Sequence, residues 1–507
     1  MRRRWLRALG TSLAAGVIAG IGLSPTVVVA ASATSPGAGR MVRQAPLRAT
    51  SVNLFGPGRA SRANRPVPIA APRRAPASAG AAAGSATSPT YTSANLNTST
   101  SQPTLQLVSR DRQVASLGRN QLVAPPDTMV AAGPSSLLEA VNRSISAWTK
   151  AGQLLSIADL DVVLPMPAGF TFSDPRLFFD APSQRFFLTG VAVDAANDSL
   201  VFLAVSHDAQ PGDGFFVYSL ARTADGVLHD QPKPGVSSDK VVIAWDDFQA
   251  GSFLGSEEWI VEKSPLLTGG PASVVSSGPN LGRPSPVPAQ SLDATSAVYV
   301  AYNGGSYTGV LTVTGRPVLN NVAIVETDLA TPVSASPPPA TESGGGTVET
   351  GDRRYLSASW RAGSLWIAGS DACRPQWSLT VRACIRLVQV STATGLAVVQ
   401  ALDLGLAGYD LFMPAVTVSS PGGVYLAGAV SSPNMWPGVG VVTLAAGQLP
   451  ATFSLVQGGL AATSSSSWGD YSSISLDPSG TSVWPAGEYS GAGASLSWGT
   501  ATAQFPI

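Results

Sequence analysis

The chain has 507 residues, 44% of them hydrophobic and only 12% charged, which is enough apolar material for a large globular core. Its 52 glycines and 40 prolines exclude a mainly helical fold, because each interrupts a helix whereas hairpin turns need them. Residues 1–100 hold twelve arginines and no Asp, Glu or Lys, which leaves 19 basic and 31 acidic residues after them. An acidic folded body repels phosphate backbones and excludes nucleic acid as its partner.

Residues 1–30 read as an export signal. Arg2, Arg3, Arg4 and Arg7 form a basic start, an apolar stretch follows, and small residues close it at Ala30. The run from Arg2 to Arg7 also fits a twin-arginine signal, and an uncleaved signal would leave a membrane anchor. Residues 31–103 are Ala, Ser, Pro, Thr, Gly and Arg with hardly an aromatic, a composition that does not offset its ordering entropy; a disordered basic tether is expected there. It serves as a spacer or attaches to anionic wall polymer or lipid.

From residue 104 onward the predicted elements are short strands separated by Gly, Pro, Asn, Asp and Ser. One hairpin unit recurs: 126–133 with 137–141, 174–180 with 185–189, 232–236 with 240–245, 288–292 with 297–302, 352–356 with 364–368, 412–418 with 424–428, and 470–476 with 482–486. The lead-in positions 127, 174, 233, 290, 352, 413 and 470 are spaced by 47 to 62 residues. That spacing predicts an all-β, seven-bladed β-propeller over 104–507. Two packed β-sandwiches are the structural alternative. The last unit has too few strands after it, so the strand Thr104–Val108 is expected to supply its outer strand and close the ring. Cys373 and Cys384 are the chain's two cysteines, and in an exported protein they are expected to form a disulfide across a hairpin.

The segments Pro125-Pro-Asp-Thr128, Asp174-Pro-Arg-Leu-Phe-Phe-Asp180, Trp468-Gly-Asp-Tyr-Ser472, Glu488-Tyr489 and Trp498-Gly-Thr500 resemble a group of secreted bacterial β-propellers of undetermined activity. The resemblance covers 105–507 and implies a fold and an exported location, with no reaction attached. Ser475-Leu-Asp-Pro-Ser-Gly-Thr-Ser-Val-Trp484 is similar, with stretched spacing, to the Asp-box of sialidase-type propellers, which in that family is a structural turn.

Residues that lead into the innermost strand of a blade face a shared funnel. Asp127, Asp174, Lys233, Gln290, Asp352 and Asp470 are therefore expected to converge. Four carboxylates around one axis repel unless Arg176, Lys233, Arg353 or Arg354 lie among them or a cation such as calcium does, which makes Asp127, Asp174, Asp352 and Asp470 the candidate metal ligands. Alternatively each Asp caps its own turn. A glycosidase needs two opposed carboxylates, for which Asp174, Asp352, Asp470 and Glu488 are candidates. A sialidase-type site would add an arginine cluster and a Tyr–Glu pair, here Tyr471 with Glu488. Trp377 and Trp436 lie in polar stretches and are candidate platforms for sugar stacking. The two histidines, His207 and His229, lie in no recognisable triad motif.

Three readings follow. The first is a monomeric, secreted or wall-associated propeller that binds a glycan or another extracellular partner at its funnel without catalysis. The second is an exported glycoside hydrolase, sialidase-like, using paired funnel carboxylates. The third is an extracellular scaffold.

Overall fold

The structure is a computed structural model that describes residues 41–55, 104–107, 124–376, 378–420, 422–463, 468–491 and 498–507. The proposed signal and most of the proposed tether lie outside the described residues. The chain is an all-β propeller: antiparallel meanders stand around a central cavity, each running outward from its innermost strand. The first consists of Met129–Ala132, Ser136–Val141, Ser144–Thr149 and Leu154–Asp159, paired in that order. Among the described residues, five sheets have four or five strands. A ten-stranded sheet contains two further meanders, over 227–280 and 355–404, joined edge to edge through the short strand Gln290–Ser291. That strand runs parallel to both Val227–Val236 and Tyr355–Arg361. The bridge arises where prolines interrupt an innermost strand: Pro288 packs so close to Gly235 that a Cβ on this glycine would come within 2.5 Å of the proline Cβ.

The inner strands of each sheet are covered on both faces by neighbouring sheets, and many of them are largely apolar for that reason. In Lys240–Gln249, Val241, Ile243 and Trp245 pack with Phe187, Val201 and Leu203 of the preceding sheet, while Val242 packs with Val298 and Val300 of the following one. Period-two alternation thus divides one strand between two cores. Trp245 is fully buried, and truncating such a side chain to alanine costs about 3–5 kcal/mol.

Thr104–Leu107 pairs antiparallel with Trp498–Ala503, so a segment preceding the first meander supplies the outer strand of the last. The expected disulfide is present: Cys373 and Cys384 have their Cα atoms 5.7 Å apart at the loop end of the hairpin formed by Ser364–Cys373 and Arg382–Ser391. The Asp-box-like stretch is a structural turn. Asp477 accepts from Ser479 N (3.0 Å) and from Trp484 Nε1 (2.9 Å). Burial alone would raise the Asp477 carboxyl, but these bonds and one from Lys150 bring it below its ordinary value.

One expectation is corrected. Residues 41–55, placed by composition in the tether, lie along two sheet edges. Ala49–Val52 pairs with Phe215–Arg222, and Val42–Arg43 pairs with Val274–Asn280. The physical reason is local. Leu47 and Leu54 are buried in the cores beneath, and Met41, Val52 and Phe55 pack against them. A handful of apolar side chains is diluted in the composition of a long Ala/Pro/Arg-rich segment, yet it suffices to cover two edges that would otherwise present unpaired backbone.

Candidate functional site

The funnel is built by one repeated backbone device. Asp127, Asp174, Gln231, Ser285 and Met413 all adopt left-handed backbone, with φ of 54°, 53°, 49°, 51° and 51°, and Gly351 does the same at 76°. In four of these cases proline follows: Pro175, Pro232, Pro286 and Pro414. The ladder shifts register at the same place, between Ser173 and Arg176, Asp230 and Lys233, and Phe412 and Ala415. The left-handed residue and the missing proline N–H make a bulge, and bulges re-aim side chains. Asp is among the few residues that tolerate this conformation, through local hydrogen bonding.

The device places Gln231 and Ser285 at the positions that spacing alone assigns to Lys233 and Gln290. Lys233 sits two residues further down and lines the central cavity together with Arg176. Gln290 also lines that cavity and donates to the Phe179 carbonyl at 3.1 Å. The cavity wall takes side chains from the innermost strands around the ring, among them Val130, Leu356, Ala415 and Ser473.

At the head of this channel Asp127, Asp174 and Asp470 offer carboxylate oxygens that all lie within 4.8 Å of one another. Asn142 ties two of them together, donating to Asp127 Oδ2 at 2.7 Å while its own Oδ1 accepts the Asp174 N–H at 2.8 Å. The Asp470 N–H donates to Asp127 Oδ1 at 3.1 Å, and Gln231 Nε2 donates to Asp470 Oδ2 at 3.1 Å. Burial, with the charges of Asp470 and Asp174 behind it, pushes the Asp127 carboxyl well above the usual range. Burial raises Asp174 as well, against the pull of Arg176. Neither Asn142 nor Gln231 figures among the site residues expected from sequence.

The cations stand beside the carboxylates. The Arg176 guanidinium lies over the Tyr471 ring, 3.4 Å from its centroid, and its Nε and Nη2 have no hydrogen-bond partner. Lys233 Nζ donates to the Gln231 carbonyl at 3.1 Å, and burial lowers its pKa to about 8. Asp352 is not part of the triad. Arg354 grips it bidentately, Nε to Oδ1 at 2.9 Å and Nη2 to Oδ2 at 2.8 Å. Arg353 points away from the axis, its Nη1 donating to the Ser334 carbonyl at 3.4 Å. Two further buried carboxylates face this side of the funnel. Burial and the charge of Asp174 raise Asp230 well above its ordinary value, and Asp246 accepts from Ser256 Oγ at 2.6 Å.

Tyr471 and Glu488 are engaged separately. The tyrosine hydroxyl donates to the Pro175 carbonyl at 2.6 Å, and burial raises its pKa well above the usual value. Glu488 Oε2 accepts the Gly469 N–H at 2.7 Å, fixing the turn that presents Asp470, and burial lifts its pKa to about 8. Trp436 is half-buried in the strand Met435–Leu444, and Trp377 lies outside the described residues. His229 Nδ1 and Asp247 Oδ1 are 2.5 Å apart in a buried pair packed on Trp245.

Opposed carboxylates that cleave a glycosidic bond stand about 5–5.5 Å apart in retaining enzymes and about 6.5–9.5 Å in inverting ones, with the sugar between them. The three funnel carboxylates bring one oxygen each within 4.8 Å of the others, and Asn142, Gln231 and the Asp470 N–H are bonded among them.

No protein-family model and no curated protein matches the sequence. Among solved structures the chain is similar to an α-L-arabinanase of Penicillium chrysogenum complexed with arabinobiose, at 11% identity and a TM-score of 0.41, over 80% of this chain and 99% of that one. It is similar to an α-L-arabinofuranosidase of Fusarium graminearum at 10% identity and a TM-score of 0.42, over 79% and 97% of the two chains. A Hadza microbial sialidase aligns at 11% identity and a TM-score of 0.37 over 65% of each chain. Scores this low carry no argument about chemistry, and the propeller is established by the strand pairings themselves.

Proposed function

We propose that this chain is an exported, seven-bladed β-propeller that binds an extracellular ligand, a glycan or a protein surface, at its funnel face without cleaving it. Counting the two meanders of the ten-stranded sheet as separate blades gives the seven. Export is supported by the basic and apolar character of residues 1–30 and by the Cys373–Cys384 disulfide, a bond that persists in oxidising compartments. The observation that carries the non-catalytic reading is the closure of Asp127, Asp174 and Asp470 on one another within 4.8 Å. Asn142, Gln231 and the Asp470 N–H are bonded among these carboxylates, which supports a closed cluster over an opposed pair held apart across a substrate bond.

The test is affinity electrophoresis of the full chain through gels containing bacterial wall polymers or plant and animal polysaccharides, combined with reducing-end assays on the same polymers. Retardation by at least one polymer with no release of reducing ends is expected. Release that disappears in Asp174→Asn would establish the hydrolase instead, and absence of both retardation and release would rule out a glycan as the funnel ligand.

A further inference from the structure

The funnel head brings three carboxylates together, two of them buried without an ion pair to a described lysine or arginine, and this points beyond ligand binding at the rim. Asp127, Asp174 and Asp470 come from three different sheets, and their oxygens meet within 4.8 Å. Asp127 is fully buried and Asp174 is 4% exposed. Among the described residues no lysine or arginine ion-pairs with either: Arg176 is turned onto Tyr471, and the Lys233 amine is held by the Gln231 carbonyl.

A second observation is independent of the acids. Gln231 is 4% exposed and its side-chain amide is fixed at the triad by the bond from Nε2 to Asp470, yet its Oε1 has no hydrogen-bond partner. A buried amide oxygen without a donor is costly unless something electropositive meets it.

We infer that Asp127, Asp174, Asp470 and the Oε1 of Gln231 form a divalent-cation site of calcium type on the propeller axis. The donors are all oxygens, three carboxylates and one amide carbonyl, which is the set that hard cations take; calcium also accepts the irregular geometry that loops from separate blades provide. The cation joins the first, second, third and last blades at one point. It also supplies the positive charge that Arg176 and Lys233 do not bring into contact. The site stands whether or not the funnel binds a glycan.

The test uses the full chain stripped with chelator, with calcium and then terbium as probes. Terbium luminescence should rise saturably through Tyr471, the neighbour of Asp470, and calcium should compete it away. Calcium should raise Tm saturably. Asp174→Asn and Gln231→Leu should each weaken calcium binding by about tenfold or more, whereas Asp352→Asn, whose carboxylate is held by Arg354, should leave it unchanged. If either variant fails to fold by circular dichroism, calorimetry of the wild-type chain decides. A wild-type protein with no saturable calcium heat up to about 1 mM, the weak end for extracellular calcium sites, and with the same Tm in calcium and in chelator overturns the inference. Equal weakening by Asp352→Asn and Asp174→Asn overturns it too.

Discussion

Lys150 and Asp477 lie 2.7 Å apart and link the first meander of the ring to the last. The two partners differ in surroundings. Lys150 is a quarter exposed, whereas Asp477 is 3% exposed and also holds Trp484 Nε1 and the Ser479 N–H. Lys150→Ala is therefore expected to cost about 0–1 kcal/mol, as partly exposed ion pairs do. Asp477→Ala leaves a buried indole N–H without its acceptor and should cost about 1–3 kcal/mol. Urea denaturation of both variants checks this, and equal losses would contradict it.

Truncation should act in steps. Removing residues 1–40 should leave Tm unchanged. Starting the chain at residue 56 strips Ala49–Val52 and the buried Leu47 and Leu54 from two sheet edges and should lower Tm by several degrees. Starting it at residue 124 also removes Thr104–Leu107 from the last sheet and should lower Tm further. Differential scanning calorimetry of the three chains measures the steps.

Stability should fall as pH rises from 5 to 8. Burial, opposed by Arg283, lifts Glu258 from 4.5 to about 7. Burial, opposed by Arg386, lifts Asp371 from 3.8 to about 7. The folded protein then holds protons that the unfolded chain has already released. Each such group contributes stability that is full below its unfolded pKa and declines by up to about 1.4 kcal/mol per pH unit until the folded pKa is reached. Urea midpoints at pH 5 and pH 8 should show the decline, and Asp371→Asn, which keeps an acceptor for the Ala335 and Ala372 N–H groups, should flatten it.

The disulfide is packed from one side by Gly405, where a Cβ would come 2.8 Å from Cys373 Sγ and 2.9 Å from Cys384 Sγ. Gly405→Ala is expected to cost about 1–3 kcal/mol by overpacking. Thiol labelling of the native protein should modify neither cysteine.

The hairpin repeat was legible because both faces of each sheet are buried, so strands appear as short apolar runs between turn residues wherever they occur. The axis was legible in part. Asp127, Asp174 and Asp470 stood out as lead-in acids, but a spacing argument places residues only to within a turn, and the bulges at Gln231-Pro232 and Ser285-Pro286 displaced two funnel positions from Lys233 and Gln290. A left-handed residue before proline was the available signal. Asn142 was not legible, because its bonds to Asp127 and Asp174 cross between loops and follow no periodicity, whereas Arg354 was expected among the carboxylates and pairs with Asp352 two residues away. The edge strands at 41–55 were hidden by averaging composition over a long segment.

The closed carboxylates at Asp127, Asp174 and Asp470 are expected to perform no hydrolysis. Mass spectrometry of oligosaccharides incubated with concentrated wild-type protein, beside Asp174→Asn, tests this most directly. The expected result is intact oligosaccharide with both proteins over the full incubation. Cleavage by the wild type that is lost in Asp174→Asn would contradict the closed, non-catalytic funnel.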